Sequence, residues 1–501
     1  MASNTTYGDY LSPIKQGFHG IGMGLTLAGI VVLGAAVVIA NFNPFISFGV
    51  AVVGLGVIFF LSRRDAEGRS KPEVADEKCT YRAQVRSRRN LYRSGMLSPI
   101  SGGETSLPGI LSRVSIIEAR DGYGYPFALL KHGRTGEYSL MMACSSQGAA
   151  LIDDDVEDRY VASWAALMEW LANQQGVTQL SATVDTSPDS GLRFRRTLKR
   201  HLVKDAPDLA SRAMAQVMAI YTSGGARSDV TLTVSFKFQD MKGRAAEDED
   251  AVYMIALVIP ELEERIANSG GGKAHALTMD EVVAMARMCM DPASQKDVER
   301  TAQEDSEEGR PSGSLCWEDA GPTTAEAGWD WYRHDSGISR TWEMCDPPRS
   351  AITSTTMARL FKPLDACDRK RVTVIFHLLP PKDTQELTEL NRKKARARSG
   401  QDRISTVDNE SNVVKTDRQA FEAVQGSVLV FFGMLVTATI EAGDDEQERL
   451  DRATRAVEGA AGAANVNLRP CYAAQDTGFA ASLPFGFNMS LYKFNSAFGL
   501  G

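Results

Sequence analysis

The segment "SVLVFFGMLVTATIEAGDDEQERLDRATRAVEGAAGAANVNLRP", residues 427–470, contains a complete strand–helix–strand unit. Ser427–Ile440 is rich in β-branched and aromatic residues and is only 14 residues long, which favours a buried strand over a membrane-spanning helix. Asp444–Ala464 begins with acidic residues and then shows amphipathic helical spacing, and the stretch after it predicts a returning strand. This unit predicts a sheet covered by helices.

The same rhythm occurs earlier in the chain. "GEYSLMMAC" (136–144) and "VTQLSATVDTSP" (177–188) read as strands on either side of a helix, in which Val161, Trp164, Leu167 and Leu171 recur at helical spacing. A third strand at 228–238 precedes a helix with an acidic start at 247–250. We therefore predict an α+β cytoplasmic domain of repeated strand–helix–strand units, with helices on one side of the sheet.

Two uncharged runs precede this domain. Ile21–Ala40 has 20 residues without a charge and Phe45–Leu61 has 17, and they are separated by "NFNP". At about 1.5 Å per residue, the first run covers the ~30 Å hydrocarbon core of a bilayer. The sequence predicts a two-helix transmembrane hairpin at 21–61 (spans 21–40 and 45–61) and hence a lipid bilayer as partner.

Basic residues flank the hairpin on both outer sides. Lys15 precedes it, bases follow it at Arg63, Arg64, Arg69 and Lys71, and the connecting loop has none. The positive-inside rule places both termini and the main domain in the cytoplasm. We thus expect a multi-pass protein of the cell membrane with two spans.

Small residues line one face of the first span. Gly20, Gly24 and Ala28 follow one another at four-residue spacing, which allows close approach of another helix. Two interpretations stay open: the two spans pack on each other, or this face receives another membrane subunit.

Composition shifts divide the chain into seven parts. We predict a cytoplasmic leader (1–20), the transmembrane hairpin (21–61), a basic juxtamembrane linker (62–106), a first α/β part (107–290), an acidic polar loop (291–326), a second α/β part (327–484) with a charged helical arm (384–403), and an aromatic docking tail (485–501). The basic linker either holds anionic lipid head groups or is a solvated face.

The sequence offers little catalytic chemistry. The net charge of −8 gives no reason to expect sequence-specific nucleic-acid binding, and the seven cysteines and six histidines lack zinc or protease spacing. "GGGKAH" (270–275) lacks the pattern of a phosphate loop. We predict no cofactor, no metal and no catalytic residues, and therefore no enzyme. The best catalytic candidate, the Trp329–Asp335 cluster, reads better as an aromatic packing or docking patch.

Ser427–Pro484 resembles the last part of the amino-terminal domain of conjugative type IV secretion ATPases, the TrbE/CagE family. The stretch "AAQDTGFAASLP" (473–484) carries the likeness, and "SRTWEMCDPP" (339–348) fits it more loosely. The hairpin resembles the small membrane partner that some systems fuse ahead of this ATPase. The family's phosphate loop and motor domain do not occur in this sequence, so we expect a split arrangement with the ATPase as a separate polypeptide, similar to proteins of actinobacterial conjugative elements.

The resemblance implies a membrane-anchored, non-catalytic scaffold subunit of a conjugative or type IV-like secretion machine. Its expected partners are a separate secretion or conjugation ATPase in trans and other inner-membrane secretion subunits. Two alternatives stay open: a type VII translocon subunit similar to EccE, which shares the layout, and a membrane-tethered enzyme that uses the Trp329–Asp335 cluster.

The tail supplies aromatic anchors for such a partner. Residues 485–501 contain one charge, Lys493, and several large apolar side chains, which makes the tail a speculative docking surface. The proposed docking residues are Phe485, Phe487, Tyr492, Phe494 and Phe498. The opposing interpretation is that the tail folds back on its own domain.

Overall fold

The computed structural model describes residues 23–63, 65, 68–95, 107–146, 152–192, 198, 200–201, 206–221, 225–239, 246–308, 315–346, 356–401, 407–424 and 428–491. These residues divide between two compact units, one ending at Asn90 and one extending from Leu91 to Leu491.

The first unit contains three helices, α1 (Met23–Ala40), α2 (Pro44–Ser62) and α3 (Lys71–Arg86). Asn43 caps α2, since its Oδ1 accepts hydrogen bonds from the backbone N–H groups of Phe45 (3.0 Å) and Ile46 (3.3 Å). α1 and α2 contact each other, and Ser47 Oγ donates to the carbonyl of Ala36 at 2.6 Å.

Within the described residues, α2 is the one helix long and apolar enough to cross a membrane. α1 contributes the shorter apolar segment Leu27–Ala40. One candidate span is therefore shown, and a second is not.

The second unit is built on one antiparallel sheet of 13 strands. The strands are β1 (Leu91–Arg93), β2 (Val114–Arg120), β3 (Pro126–His132), β4 (Glu137–Ser145), β5 (Val177–Pro188), β6 (Ala226–Phe236), β7 (Lys273–Ala276), β8 (Thr324–Ala327), β9 (Tyr332–His334), β10 (Gly337–Asp346), β11 (Arg369–Leu378), β12 (Val430–Glu441) and β13 (Asn467–Pro470). Their order is β1-β8-β9-β10-β12-β11-β5-β6-β4-β3-β2, with β13 on β10 and β7 on β4.

The helices of this unit are α4 (Asp154–Asn173), α5 (Asp208–Tyr221), α6 (Asp248–Ile266), α7 (Met279–Met290), α8 (Gln295–Glu308), α9 (Ala358–Phe361), α10 (Pro381–Gln401), α11 (Val407–Val424), α12 (Glu446–Ala463) and α13 (Gln475–Ser482). The strand and helix predicted from 427–470 are confirmed as β12 and α12, and those predicted from 136–188 as β4, α4 and β5.

The strand order shows an internal repeat. From the β2 edge toward the centre of the sheet, the first half has the strand order β2-β3-β4-β6-β5. From β8 toward the centre, the second half has the matching order β8-β9-β10-β12-β11. The accessory strands also match, because β7 pairs with β4 and β13 with β10. The two halves join at β5 and β11, where Thr183 faces Thr373. The predicted first and second parts therefore share one continuous sheet.

The two faces of the sheet differ in chemistry. One face is apolar: α4 and α6 cover its first half and α12 its second, around buried residues such as Leu140, Val234 and Trp342. The opposite face contacts α7 and α13. Helices therefore lie on both faces, and the expectation of helices on one side is wrong, because both faces of so large a sheet require cover.

Several segments predicted as linkers hold regular structure. The linker at 62–106 contains α3 and β1, and the loop at 291–326 contains α8 and β8. The arm predicted at 384–403 is the first of two contacting helices, α10 and α11. Short strands such as β1 escape prediction because their partners, here β8, are more than 200 residues away along the chain.

Candidate functional site: the polar face of the sheet and its strap

Serine, threonine and charged side chains cover the second face of the sheet at its centre. They alternate with apolar residues that face the other side, as the two-residue period of a strand requires. The buried polar residues of the central strands that lie on this face include Ser139, Gln179, Ser181, Thr183, Asp185, Thr231, Thr233, Ser235, Ser339, Thr341, Arg371, Thr373, Thr437 and Thr439. Such groups are tolerated inside a protein only when hydrogen bonds replace those to water.

A strap formed by Ser482–Asn488 supplies many of these hydrogen bonds. Its backbone carbonyls accept from one strand after another as the segment leaves α13. Thr373 donates to the Ser482 carbonyl at 2.6 Å, Thr233 to that of Pro484 at 2.7 Å, and Ser235 to that of Gly486 at 2.8 Å. The strap therefore ties β11 of one half to β6 of the other.

Glycine is required in the middle of the strap. Gly486 has a φ of +67°, and a Cβ there would lie 2.6 Å from the hydroxyl oxygens of both Ser139 and Ser235. An L-residue with a side chain would be strained and would also overlap the sheet.

The two halves carry a histidine–serine pair at matching positions. His132 ends β3 and its Nε2 lies 3.0 Å from Ser139 Oγ, whereas His334 ends β9 and its Nε2 lies 2.7 Å from Ser339 Oγ. Each serine contacts a further hydroxyl on the next strand: Ser235 at 3.2 Å and Thr439 at 2.7 Å, respectively.

Each histidine also binds a carbonyl that arrives from the other half. His132 Nε2 donates to the Phe485 carbonyl at 3.0 Å, and His334 Nδ1 donates to the Met290 carbonyl at 2.6 Å. Met290 ends α7 of the first half and Phe485 follows α13 of the second half, so the exchange is reciprocal.

The pairing of His334 with Ser339 resembles a base and nucleophile, because its Nδ1–H is bound and Nε2 can accept the serine proton. Both residues are fully buried. Burial lowers the pKa of each histidine, His132 and His334, to about 4, so both imidazoles are neutral at pH 7. In this closed arrangement the pairs act as hydrogen-bonding clamps between the halves.

An ion-pair cluster lies where the halves meet. Asp185 on β5 accepts from Arg369 at 2.8 Å and from Arg371 at 2.9 Å, both on β11. Burial by itself raises the pKa of Asp185, but the two guanidinium groups outweigh it and hold that pKa below its usual range. Arg371 also contacts Cys289 Sγ at 2.9 Å, which links the cluster to α7.

The aromatic segment at 329–335 has structural contacts. Trp329 stacks on Tyr472 with ring centroids 5.5 Å apart, and Asp330 accepts from Arg340 at 2.6 Å. Asp335 accepts from the backbone N–H of Thr323 at 2.7 Å. Its side chains thus fasten loops to the sheet, in line with the packing interpretation.

The glycines at 270–275 also have a packing role. Lys273 pairs with Ser145 where β7 joins β4, and a Cβ on Gly272 would lie 2.3 Å from the Ser145 carbonyl. Close approach of two backbones therefore accounts for glycine there. Among the described residues, no group of three or more histidine, cysteine or acidic side chains is arranged to hold a metal ion.

The predicted docking tail needs correction at its start. Phe485 and Phe487 are 0% and 1% exposed, so in this fold they are core residues of the strap and not docking anchors. They are buried because the strap lies on the polar face, where its carbonyls accept hydrogen bonds from the sheet. Phe487 packs edge-on to His132. Tyr492, Phe494 and Phe498 lie outside the described residues.

The small residues of the first span are placed only in part. Gly20 lies outside the described residues and Gly24 lies in α1, while Ala28 is exposed. The close contact between α1 and α2 involves other positions, since a Cβ on Gly54 would lie 2.4 Å from the Val32 side chain.

Sequence reasoning missed the polar face, the strap and both histidine–serine pairs. One signal was available: Ser, Thr and Gln alternate with apolar residues along "VTQLSATVDTSP" (177–188), a pattern that reads equally well as a solvent-exposed face. Only the covering segments distinguish the two cases.

Comparison with models of known protein families and with curated proteins finds no match for this chain.

Proposed function

We propose that this chain is a membrane-anchored, non-catalytic scaffold subunit of a conjugative, type IV-like secretion machine, which couples an inner-membrane complex to a separate ATPase. The observation that carries the proposal is α2, whose 19 residues contain no charge and no buried residue. A surface of this kind needs lipid or another apolar surface to cover it.

The anchor we propose has two spans, α1 and α2, with both termini and the sheet domain in the cytoplasm. The flanking bases support this orientation through the positive-inside rule. The likeness of Ser427–Pro484 to the domain that precedes the motor in secretion ATPases supports the choice of machine.

A groove on the α10–α11 arm is the surface we propose for the ATPase, since Phe485 and Phe487 are buried. Leu379, Leu387 and Leu390 line the groove together with polar residues such as Asp383 and Glu386. Protein interfaces commonly combine apolar side chains with polar ones. α11, which contacts α10, carries the exposed side chain of Phe421, and we include it in the proposed surface.

The test is co-purification of the full-length chain, solubilised from membranes, with the secretion ATPase that we propose as its partner. We expect Leu390→Ser with Phe421→Ser to reduce the captured ATPase at least tenfold. The matched control is Tyr253→Ser with Leu257→Ser, two residues of similar exposure on α6.

Three results would contradict the proposal. If alkaline carbonate releases the protein from membranes, the chain is not anchored as proposed. If the purified chain hydrolyses ATP, its proposed non-catalytic role is wrong. If the arm variant and its control capture equal amounts of the ATPase, the groove is not the docking surface.

A further inference from the structure

The charges of α3 are separated onto two sides of the helix. At 100° per residue, Lys71, Lys78, Arg82 and Arg86 fall within an arc of about 80°, which we call the basic stripe. All four side chains are exposed. The acidic residues of the helix, Glu73, Asp76 and Glu77, lie on the opposite side.

The stripe begins where α2 ends. The ammonium group of Lys71 lies 3.0 Å from the centroid of the Phe60 ring, in the last turn of α2. Arg69 is only 9% exposed and holds the turn between the helices, because it donates to Asp65 at 3.2 Å and to Glu77 at 2.8 Å. The geometry places the first base of the stripe at the end of the candidate span.

The remaining bases of the stripe have no ion-pair partner in the described part of the chain. The nearby acids are engaged elsewhere: Glu77 binds Arg69, and Glu73 accepts from the backbone N–H of Ser70 at 2.7 Å. Val85, 42% exposed, lies beside the stripe and adds an apolar side chain to the same face. The face is therefore cationic with an apolar border, as in helices that lie at a membrane surface.

We infer that the basic stripe binds the phosphate headgroups of anionic phospholipids in the bilayer that holds α2, so that α3 lies along the membrane surface. The inference rests on the membrane anchor of the proposed function. Lipid is favoured over nucleic acid because the stripe starts at the end of an apolar helix and the chain as a whole is acidic, with a net charge of −8.

The size of the effect follows from the charge. A base near an anionic surface contributes about 1 kcal/mol, which is a factor of about five in affinity. Removing three bases should therefore weaken the association by about 100-fold. Because the attraction extends over a Debye length of about 8 Å at physiological ionic strength, 1 M salt should suppress it.

The experiment uses the full-length chain in lipid nanodiscs that contain phosphatidylcholine with a rising fraction of phosphatidylglycerol. An environment-sensitive fluorophore is attached to Cys79, which is exposed beside the stripe, in a Cys316→Ser background. We expect a blue shift of emission as phosphatidylglycerol increases, and its reversal in 1 M salt.

The stripe variant combines Lys78→Gln, Arg82→Gln and Arg86→Gln. It should need at least fivefold more phosphatidylglycerol for the same shift. The matched control removes three exposed bases elsewhere, by Lys393→Gln, Lys394→Gln and Arg455→Gln, and should respond like the parent. Lys78→Arg, which keeps the charge, should also respond like the parent.

The outcomes separate this inference from the proposed function. If the protein stays in the discs but the fluorophore ignores phosphatidylglycerol, or the stripe variant and control respond alike, the stripe does not bind lipid. If the protein leaves the discs, the anchor itself fails. A shift caused by single-stranded DNA in neutral discs, and abolished in the stripe variant, would instead make the stripe a nucleic-acid surface.

Discussion

Single buried polar residues carry much of the organisation of this sheet. His334 sits between Met290 and Ser339 and connects α7 of the first half to the strands of the second. Asp185 joins β5 to β11 through two arginines. Each group is stable only while its partners are present, since an unpaired buried polar or charged group costs several kcal/mol.

The stability of the protein should depend on pH through His334. Its folded-state pKa of about 4 lies below the ordinary value of 6.5, so the unfolded chain binds the proton more tightly. The contribution of neutral His334 to the free energy of unfolding is fully present above pH 6.5 and is lost as the pH falls toward 4. Between pH 7 and pH 5 we expect a loss of about 2 kcal/mol in the free energy of unfolding from this group.

Urea unfolding of the full chain in neutral detergent at both pH values measures this loss. His334→Gln, which has no titrating ring, should show a pH dependence smaller by that amount. Identical pH dependence in the parent and His334→Gln would show that the buried imidazole does not titrate as described.

Asp185→Asn should destabilise the domain strongly. The substitution leaves the guanidinium groups of Arg369 and Arg371 buried without their counter-charge, which costs about 3–5 kcal/mol. The control, Asp297→Asn, breaks an exposed pair with Arg300 and should cost less than about 1 kcal/mol. Thermal unfolding followed by circular dichroism compares the two, and equal midpoints would contradict the assigned role of Asp185.

At the scale of elements, the strap decides how the polar face is covered. It is a short irregular segment whose carbonyls accept hydrogen bonds from side chains of two strands, β11 and β6, and from His132 on β3. An additional helix would be a poor cover, because the carbonyls inside a helix are already bonded to its own N–H groups. The extended strap leaves its carbonyls free for the hydroxyl groups beneath.

Gly486→Ala tests the fit of the strap. We expect a loss of several kcal/mol, since the added methyl group overlaps Ser139 and Ser235 as well as straining the backbone. Gly136→Ala is the matched control: its φ is +71°, but nothing lies within 4 Å of the new Cβ, so only backbone strain of about 1 kcal/mol is expected. Urea unfolding gives both values, and equal losses would mean that the strap is not packed tightly on the sheet.

At the scale of the whole molecule, the two halves complete each other. Both halves have the same strand order, yet each sends a segment across to the other: the end of α7 to His334 and the strap to His132. Neither half can satisfy its own polar face alone. We therefore expect the repeat to unfold as one cooperative domain rather than as two independent ones.

This reciprocity predicts how separated halves behave. Residues 107–308 expressed alone should be insoluble or unfolded, since the polar face of β4–β6 then lacks the strap. Co-expression with residues 315–491 should restore a soluble complex that co-purifies, which gel filtration and circular dichroism can follow. A first half that folds alone, with cooperative unfolding, would contradict the mutual dependence.

The amino-acid sequence by itself determined the features that depend on local pattern. The apolar run that forms α2, the amphipathic helices α4 and α12, and the strands β4, β5 and β12 follow from composition and periodicity over 10 to 20 residues. The same local reasoning offered a packing or a docking role for Trp329 and its neighbours, and in the structure Trp329 stacks on Tyr472.

Only the tertiary structure decided which surfaces are covered. The alternation of Ser and Thr with apolar residues on β5 and β6 is the same for a solvated and a buried face, and Phe485 and Phe487 read equally well as docking anchors or as core. The strap resolves both ambiguities at once, because residues 250 to 350 positions apart meet through backbone carbonyls. Hydrogen bonds of that range have no signature in a local window of sequence, since they depend on where the whole sheet brings its strands together.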